Sequence, residues 1–192
     1  MQRMPHDSRD LASASDARPG LILTALGPDR PGLVNAIAGF VTRRGGNIED
    51  TRMAKLGGEF AVLVLVTGSS ANLAALQADQ AVLAGELGVH CFFKPTHKAL
   101  GTAEGVFCKL SLSTLDRPGI VESVTEVLSS RRVNVASLSS RVVHAAETGT
   151  PLFELEAELL VPVGVDPQEV ARALGEVSER DNLDLAFIVG RG

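Results

Sequence analysis

Apolar residues along this chain change their spacing at short, regular intervals, and each change predicts an element. Residues 21–25 are an apolar run that predicts a strand, broken by Gly27-Pro28-Asp29-Arg30-Pro31-Gly32. Leu33, Ile37, Phe40 and Val41 then recur at helical spacing until Gly45-Gly46 stops the pattern. Residues 48–56 and 60–66 are apolar-rich and flank Gly57-Gly58, a pair free to take positive φ as a tight hairpin requires. A second helix is predicted through Leu73, Leu76, Val82, Leu83 and Leu87, with Asn72 as its cap, and residues 89–93 close with a strand. The order is βαββαβ.

The same order follows again. Residues 106–112 predict a strand, 119–131 a helix, 135–143 and 152–161 two strands, a helix begins after Pro167, and 183–189 end as a strand. Pro167 suits a first helical turn, where its missing N–H has no partner to lose. The two halves are copies: Asp29-Arg30-Pro31-Gly32-Leu33-Val34 recurs as Asp116-Arg117-Pro118-Gly119-Ile120-Val121, an offset of 87 residues. At that offset Ile37 meets Val124, Val41 meets Leu128, and Asn47-Ile48 meets Asn134-Val135. A repeat this long is a small domain rather than a solenoid unit. The fold expected is therefore α+β, two ferredoxin-like βαββαβ domains in tandem, with antiparallel sheets and helices on one face. The expected organisation is a disordered leader at 1–18, a first domain at 19–95, a linker at 96–105 and a second domain at 106–192. Glu154, Glu156 and Glu158 alternate with Phe153, Leu155, Ala157 and Leu159, which predicts one wet and one buried face; residues 61–66 are apolar throughout and predict burial on both sides.

Composition then narrows the chemistry. A hydrophobic share of 45% allows a packed core, while a net charge of -5 with no dense basic block argues against direct nucleic-acid binding. With no Trp and no Tyr, stacking platforms for RNA are missing too. Cys91 and Cys108 lie in apolar runs without a CxxC pair, so they are expected to be small core residues, and neither a metal site nor a cofactor is predicted. His6, His90, His97 and His144 recur with no partner that would make an acid/base pair, so an enzyme is not expected. No stretch reaches the roughly 20 apolar residues of a membrane span and residues 1–18 lack an apolar signal segment, so a cytoplasmic protein is expected.

The repeated turn is the candidate site. It joins a strand to a helix, so N–H groups without intrahelical partners gather where the chain reverses, and such an end attracts an anion. Gly32 and Gly119 leave room for a ligand carboxylate near the backbone, and Asp29 and Asp116 offer carboxylates to an ammonium group. The same residues suit a helix start without any ligand, Asp as N-cap and Pro in the first turn. Asn47 and Asn134 are equally open to two uses, turning the chain into the next strand or facing a ligand.

The paired Asp-Arg-Pro-Gly turns followed by Asn-Ile and Asn-Val strand starts resemble ACT domains, regulatory modules that bind amino acids at domain interfaces; the resemblance runs from Leu21 to Val189. More narrowly, Asn47-Ile48-Glu49-Asp50-Thr51-Arg52-Met53-Ala54, Leu56-Gly57-Gly58-Glu59-Phe60-Ala61 and Thr148-Gly149-Thr150-Pro151-Leu152-Phe153 resemble the glycine cleavage system transcriptional repressor family. That resemblance implies a non-catalytic, glycine-responsive sensor that restrains a LysR-type activator protein without gripping DNA. The alternative it leaves is a detached regulatory subunit acting on an enzyme of amino-acid metabolism. It also implies effector contacts from Asp29, Arg30, Pro31, Gly32 and Leu33, from Asp116, Arg117, Pro118, Gly119 and Ile120, and from Asn47, Ile48, Asn134 and Val135 facing a neighbouring domain. Pairing of the sheets side by side is implied as well, with a homodimer of the whole chain left open. Copy two departs by Leu115 in place of Pro28 and by a longer hairpin loop at 145–151, which sets equal occupancy of the two copies in doubt.

Overall fold

A computed structural model describes residues 18–98 and 104–190, which fall into two units divided between Gly101 and Thr102. The first contains β1 (Arg18–Pro28), α1 (Leu33–Arg43), β2 (Asn47–Leu56), β3 (Glu59–Thr67), α2 (Ser70–Ala78), α3 (Gln80–Leu87) and β4 (His90–Lys98). Its four strands are antiparallel in the order β2-β3-β1-β4. The second contains β5 (Gly105–Leu115), α4 (Ile120–Ser130), β6 (Asn134–His144), β7 (Pro151–Pro162), α5 (Pro167–Asp181) and β8 (Asp184–Val189), in the equivalent order β6-β7-β5-β8. Both are ferredoxin-like. No helix among the described residues is long and apolar enough to cross a membrane.

Each helix forms because its apolar stripe has a sheet to cover. Leu33, Ile37, Phe40 and Val41 of α1 are buried with Leu23 and Val64 of the sheet. Ile120, Val124 and Leu128 of α4 are buried against Leu110 and Leu159. The repeat extends to an irregularity that apolar spacing does not reveal. β2 shifts register between Ile48 and Asp50, and β6 shifts between Val135 and Ser137, one bulge in the same place in each copy. The hairpin after β2 turns on Gly57 at φ 60° and Gly58 at φ 94°, both in the region glycine adopts freely.

Several expectations need correction. The single helix expected over 73–87 is two, α2 and α3, separated at Asp79. There Nε and Nη2 of Arg44 reach Oδ2 of Asp79 at 2.9 and 2.8 Å, and the same guanidinium lies 3.6 Å over the Phe40 ring. The cap of α2 is Ser69, whose hydroxyl accepts from the Asn72 N–H; the Asn72 side chain instead donates to the Gly45 carbonyl at 2.9 Å. Pairing of Arg18 with Lys98 and Pro19 with His97 carries β1 and β4 beyond their apolar runs, so strand replaces part of the linker expected at 96–105. The middle of that linker, 99–103, and the leader before Arg18 lie outside the described residues.

The apolar run at 61–66 divides by face. Val62, Val64 and Val66 are buried under the helices, but Leu63 on the opposite face is 49% exposed. In β7, Leu155, Ala157 and Leu159 are buried while Glu156 and Glu158 are exposed. Both cysteines are free, Cys108 buried and Cys91 half-buried, and burial pushes each thiol above its ordinary range. Neither is poised as a nucleophile.

Candidate functional site

The turn after β1 and the turn after β5 have the same backbone. Gly32 caps α1 at φ 89° and Gly119 caps α4 at φ 91°, and neither helix receives a side-chain cap. Asp29 and Asp116 are therefore not the N-caps of their helices. The first helical N–H to find a carbonyl is that of Ala36 in one copy, bonding Gly32 at 2.9 Å, and of Ser123 in the other, bonding Gly119 at 3.0 Å. The N–H groups that precede these have no intrahelical acceptor, and they form a positive end free of any side-chain cap. A Cβ placed on Gly32 or Gly119 meets nothing within 4 Å, so glycine is demanded by the left-handed φ and not by crowding.

Each turn is tied down on two sides. The Asp29 N–H bonds the Gly58 carbonyl at 3.2 Å and the Asp116 N–H bonds the Pro151 carbonyl at 3.2 Å, which fastens the turn to the neighbouring hairpin. Arg30 Nη2 donates to the Leu87 carbonyl at 3.2 Å, and Arg117 Nη2 donates to the Asp181 carbonyl at 3.1 Å. Those carbonyls end α3 and α5, where intrahelical donors have run out and the helix dipole is negative. Arginine in this motif thus holds the strand-to-helix turn against the end of the unit's last helix. Sequence reasoning missed this use; the signal available was that both arginines recur at the offset.

In the first unit a pocket of about 320 Å³ opens at this turn, lined by Asp29, Arg30, Gly32 and Asn35 with Met53 and Phe60. Lys55 Nζ stands 2.8 Å from Asp29 Oδ2. In the second unit the pockets described lie elsewhere, between α4 and α5 and on the sheet face that carries Glu154 and Glu156. There Asp181 holds Arg117 by its backbone and lies 3.7 Å from it by its carboxylate. The Arg180 guanidinium first, and then the charge of Arg117 and the Ser123 hydroxyl, hold the Asp181 carboxyl below its usual range against the opposing pull of desolvation.

The asparagines are not beside these turns. Asn47 pairs with Thr67, which pairs with Gly20, so Asn47 and Ile48 sit at the end of the sheet where β1 begins. Asp29 follows the other end of β1. Nine residues from Gly20 to Asp29, at roughly 3.3 Å each, separate the two positions by about 30 Å. Asn134 pairs with Leu160, which pairs with Phe107, and stands equally far from Asp116. The structure brings Asp29, Arg30, Pro31, Gly32 and Leu33 together, likewise Asp116, Arg117, Pro118, Gly119 and Ile120, and leaves Asn47, Ile48, Asn134 and Val135 apart from them within each unit.

Residues 20–94 match the ACT domain family model. The glycine cleavage system transcriptional repressors of Escherichia coli (strain K12) and Shigella flexneri are each 29% identical over 153 residues, covering 80% of this chain and 80% of theirs. Among solved structures, an unknown protein from Galdieria sulphuraria superposes with a TM-score of 0.76 at 27% identity, covering 90% of this chain and 98% of that one. A structure assigned to a glycine cleavage system transcriptional repressor superposes with a TM-score of 0.69 at 23% identity, covering 91% and 98%, and supports the same fold. The first unit thus matches the ACT domain family model, the second repeats its fold, and the chain is similar to those repressors over 80% of its length.

Proposed function

We propose that this chain is a non-catalytic regulator that binds an amino acid, glycine before others, and controls transcription through a partner activator of the LysR type without binding DNA itself. The observation that carries the reading is the pocket at the first turn, where uncapped N–H groups of α1 and the Asp29 carboxylate lie together. A zwitterion has the matching groups, a carboxylate for the helix N-terminus and an ammonium for Asp29. The likeness to repressors of the glycine cleavage system supports glycine as the ligand and transcription as the output. The net charge of -5 favours a protein partner over DNA.

A ligand that also touches Asn47 or Asn134 needs the strand start of another ACT unit, given the separation within each. Glycine, at a ceiling of about 1.5 kcal/mol per heavy atom, gains at most about 7 kcal/mol, hence a Kd on the order of 10 μM or weaker. The pocket is at the small end of the range for small-molecule sites and larger than glycine needs, so the test spans all twenty amino acids. Calorimetry on the purified chain is expected to show stabilisation by glycine of about 2.7 kcal/mol at a hundredfold excess over Kd. A flat response to every amino acid sinks the reading. Pull-down with and without glycine then separates a LysR-type activator from a metabolic enzyme as the partner.

A further inference from the structure

We infer that the two turns are unequal receptors, and that Lys55 in the first and Glu122 in the second decide which copy takes the amino acid; this rests on the function proposed above. The backbones are alike, with φ 89° and 91° at the capping glycines and each arginine drawn off to a helix-ending carbonyl. The charges around them differ. In the first unit Lys55 Nζ meets Asp29 Oδ2 at 2.8 Å, which neutralises that carboxylate and leaves Oδ1 for a ligand ammonium. Asn35, uncharged, lines the pocket from the first turn of α1. With Arg30 also in the lining, a zwitterion therefore meets a site that is net positive, with an ammonium acceptor and free N–H donors for its carboxylate.

At the offset of 87, Lys55 becomes Val142 and Asn35 becomes Glu122. Val142 leaves Asp116 without a cation from that register position. Glu122 places a second carboxylate in the first turn of α4, where it competes for the positive end of the helix. A ligand carboxylate approaching those N–H groups is repelled by both Asp116 and Glu122. The chain binds one amino acid, in its first unit, and the second copy keeps the fold of the receptor with the wrong sign of charge.

Titration calorimetry of the full chain with glycine tests this. The unaltered chain is expected to bind one glycine. Lys55→Val is expected to weaken it about threefold to fivefold, the loss shrinking as salt is raised. The double variant Glu122→Asn, Val142→Lys is expected to bind two. Lys55 is 66% exposed and Val142 47% exposed, and Glu122 is exposed, so these changes spare the core. Two sites in the unaltered chain, unchanged affinity in Lys55→Val, or one site in the double variant overturns the inference and leaves the proposed function standing. Absence of binding by the unaltered chain to any amino acid overturns the proposed function, and the inference with it.

Discussion

On the open face of the first sheet Leu26, Leu63 and Phe92 are about half exposed, at 47%, 49% and 52%, and make an apolar surface with Ile22 and Leu65. On the open face of the second, Ser113, Glu156, Ala186, Lys109 and Glu158 hold the same register positions, with Phe107 and Ile188 exposed towards one end, and Arg141 Nε bonds Glu154 at 2.9 Å. Behind these faces the two units agree. Leu33, Ile37 and Val41 are buried in one as Ile120, Val124 and Leu128 are in the other, the capping glycine has the same φ, and the arginine bonds the same kind of carbonyl. Packing between helix and sheet demands apolar residues of fitting volume at particular positions. A solvent-facing position is under no such demand, so charge and apolarity diverge there between copies that fold alike.

The largest test of this comparison lies where the cores themselves differ. Phe40 is fully buried in α1, whereas the residue at the same place in α4 is the partly buried Val127. Phe40→Ala is expected to cost about 3–5 kcal/mol and Val127→Ala about 1 kcal/mol, measured by urea unfolding. Equal losses mean that the two helices do not bury their stripes as described. Next in size, Gly32→Ala and Gly119→Ala are each expected to cost about 1–2 kcal/mol, because an L-residue is strained at positive φ. A difference between them beyond about 1 kcal/mol shows that the turns are not the same backbone.

The smallest effect is a pH dependence contributed by Asp181, whose carboxyl is held low first by Arg180 and then by Arg117. The arginine of the first turn rests on the Leu87 carbonyl, which does not titrate, whereas that of the second has the Asp181 carboxylate beside it. The folded carboxyl of Asp181 titrates below its unfolded counterpart. Its contribution is therefore fully present above the ordinary carboxylate range and is lost as pH falls through and below that range. Unfolding followed between neutral pH and about pH 3 is expected to show acid weakening of the second unit that Asp181→Asn reduces; the same slope in the variant breaks the assignment.

Much of this molecule was legible in one dimension. The period of apolar residues located the strands and first helices, and the offset of 87 doubled the evidence for each, because helix and strand patterns depend on local spacing that a repeat displays twice. Legibility failed where an outcome depends on competition between distant groups. Whether Asp29 capped its helix was undecidable from Asp-Arg-Pro-Gly, since the capping position went to Gly32 and the carboxylate to Lys55, a residue 26 positions away. The break at Asp79 likewise falls where Arg44, from another part of the chain, meets the Asp79 carboxylate.

The sequence by itself determined the number of units, the order of strands and helices along each, and the two turns from which the proposed site is built, for all of these follow from periodicity and glycine chemistry. Tertiary structure alone decided that Arg30 and Arg117 hold helix ends, that Asn47 and Asn134 lie at the far end of the sheet from those turns, and that the first turn has its carboxylate neutralised. Those facts rest on strand register and on which charges meet across elements, and neither is set by the spacing of residues along a chain.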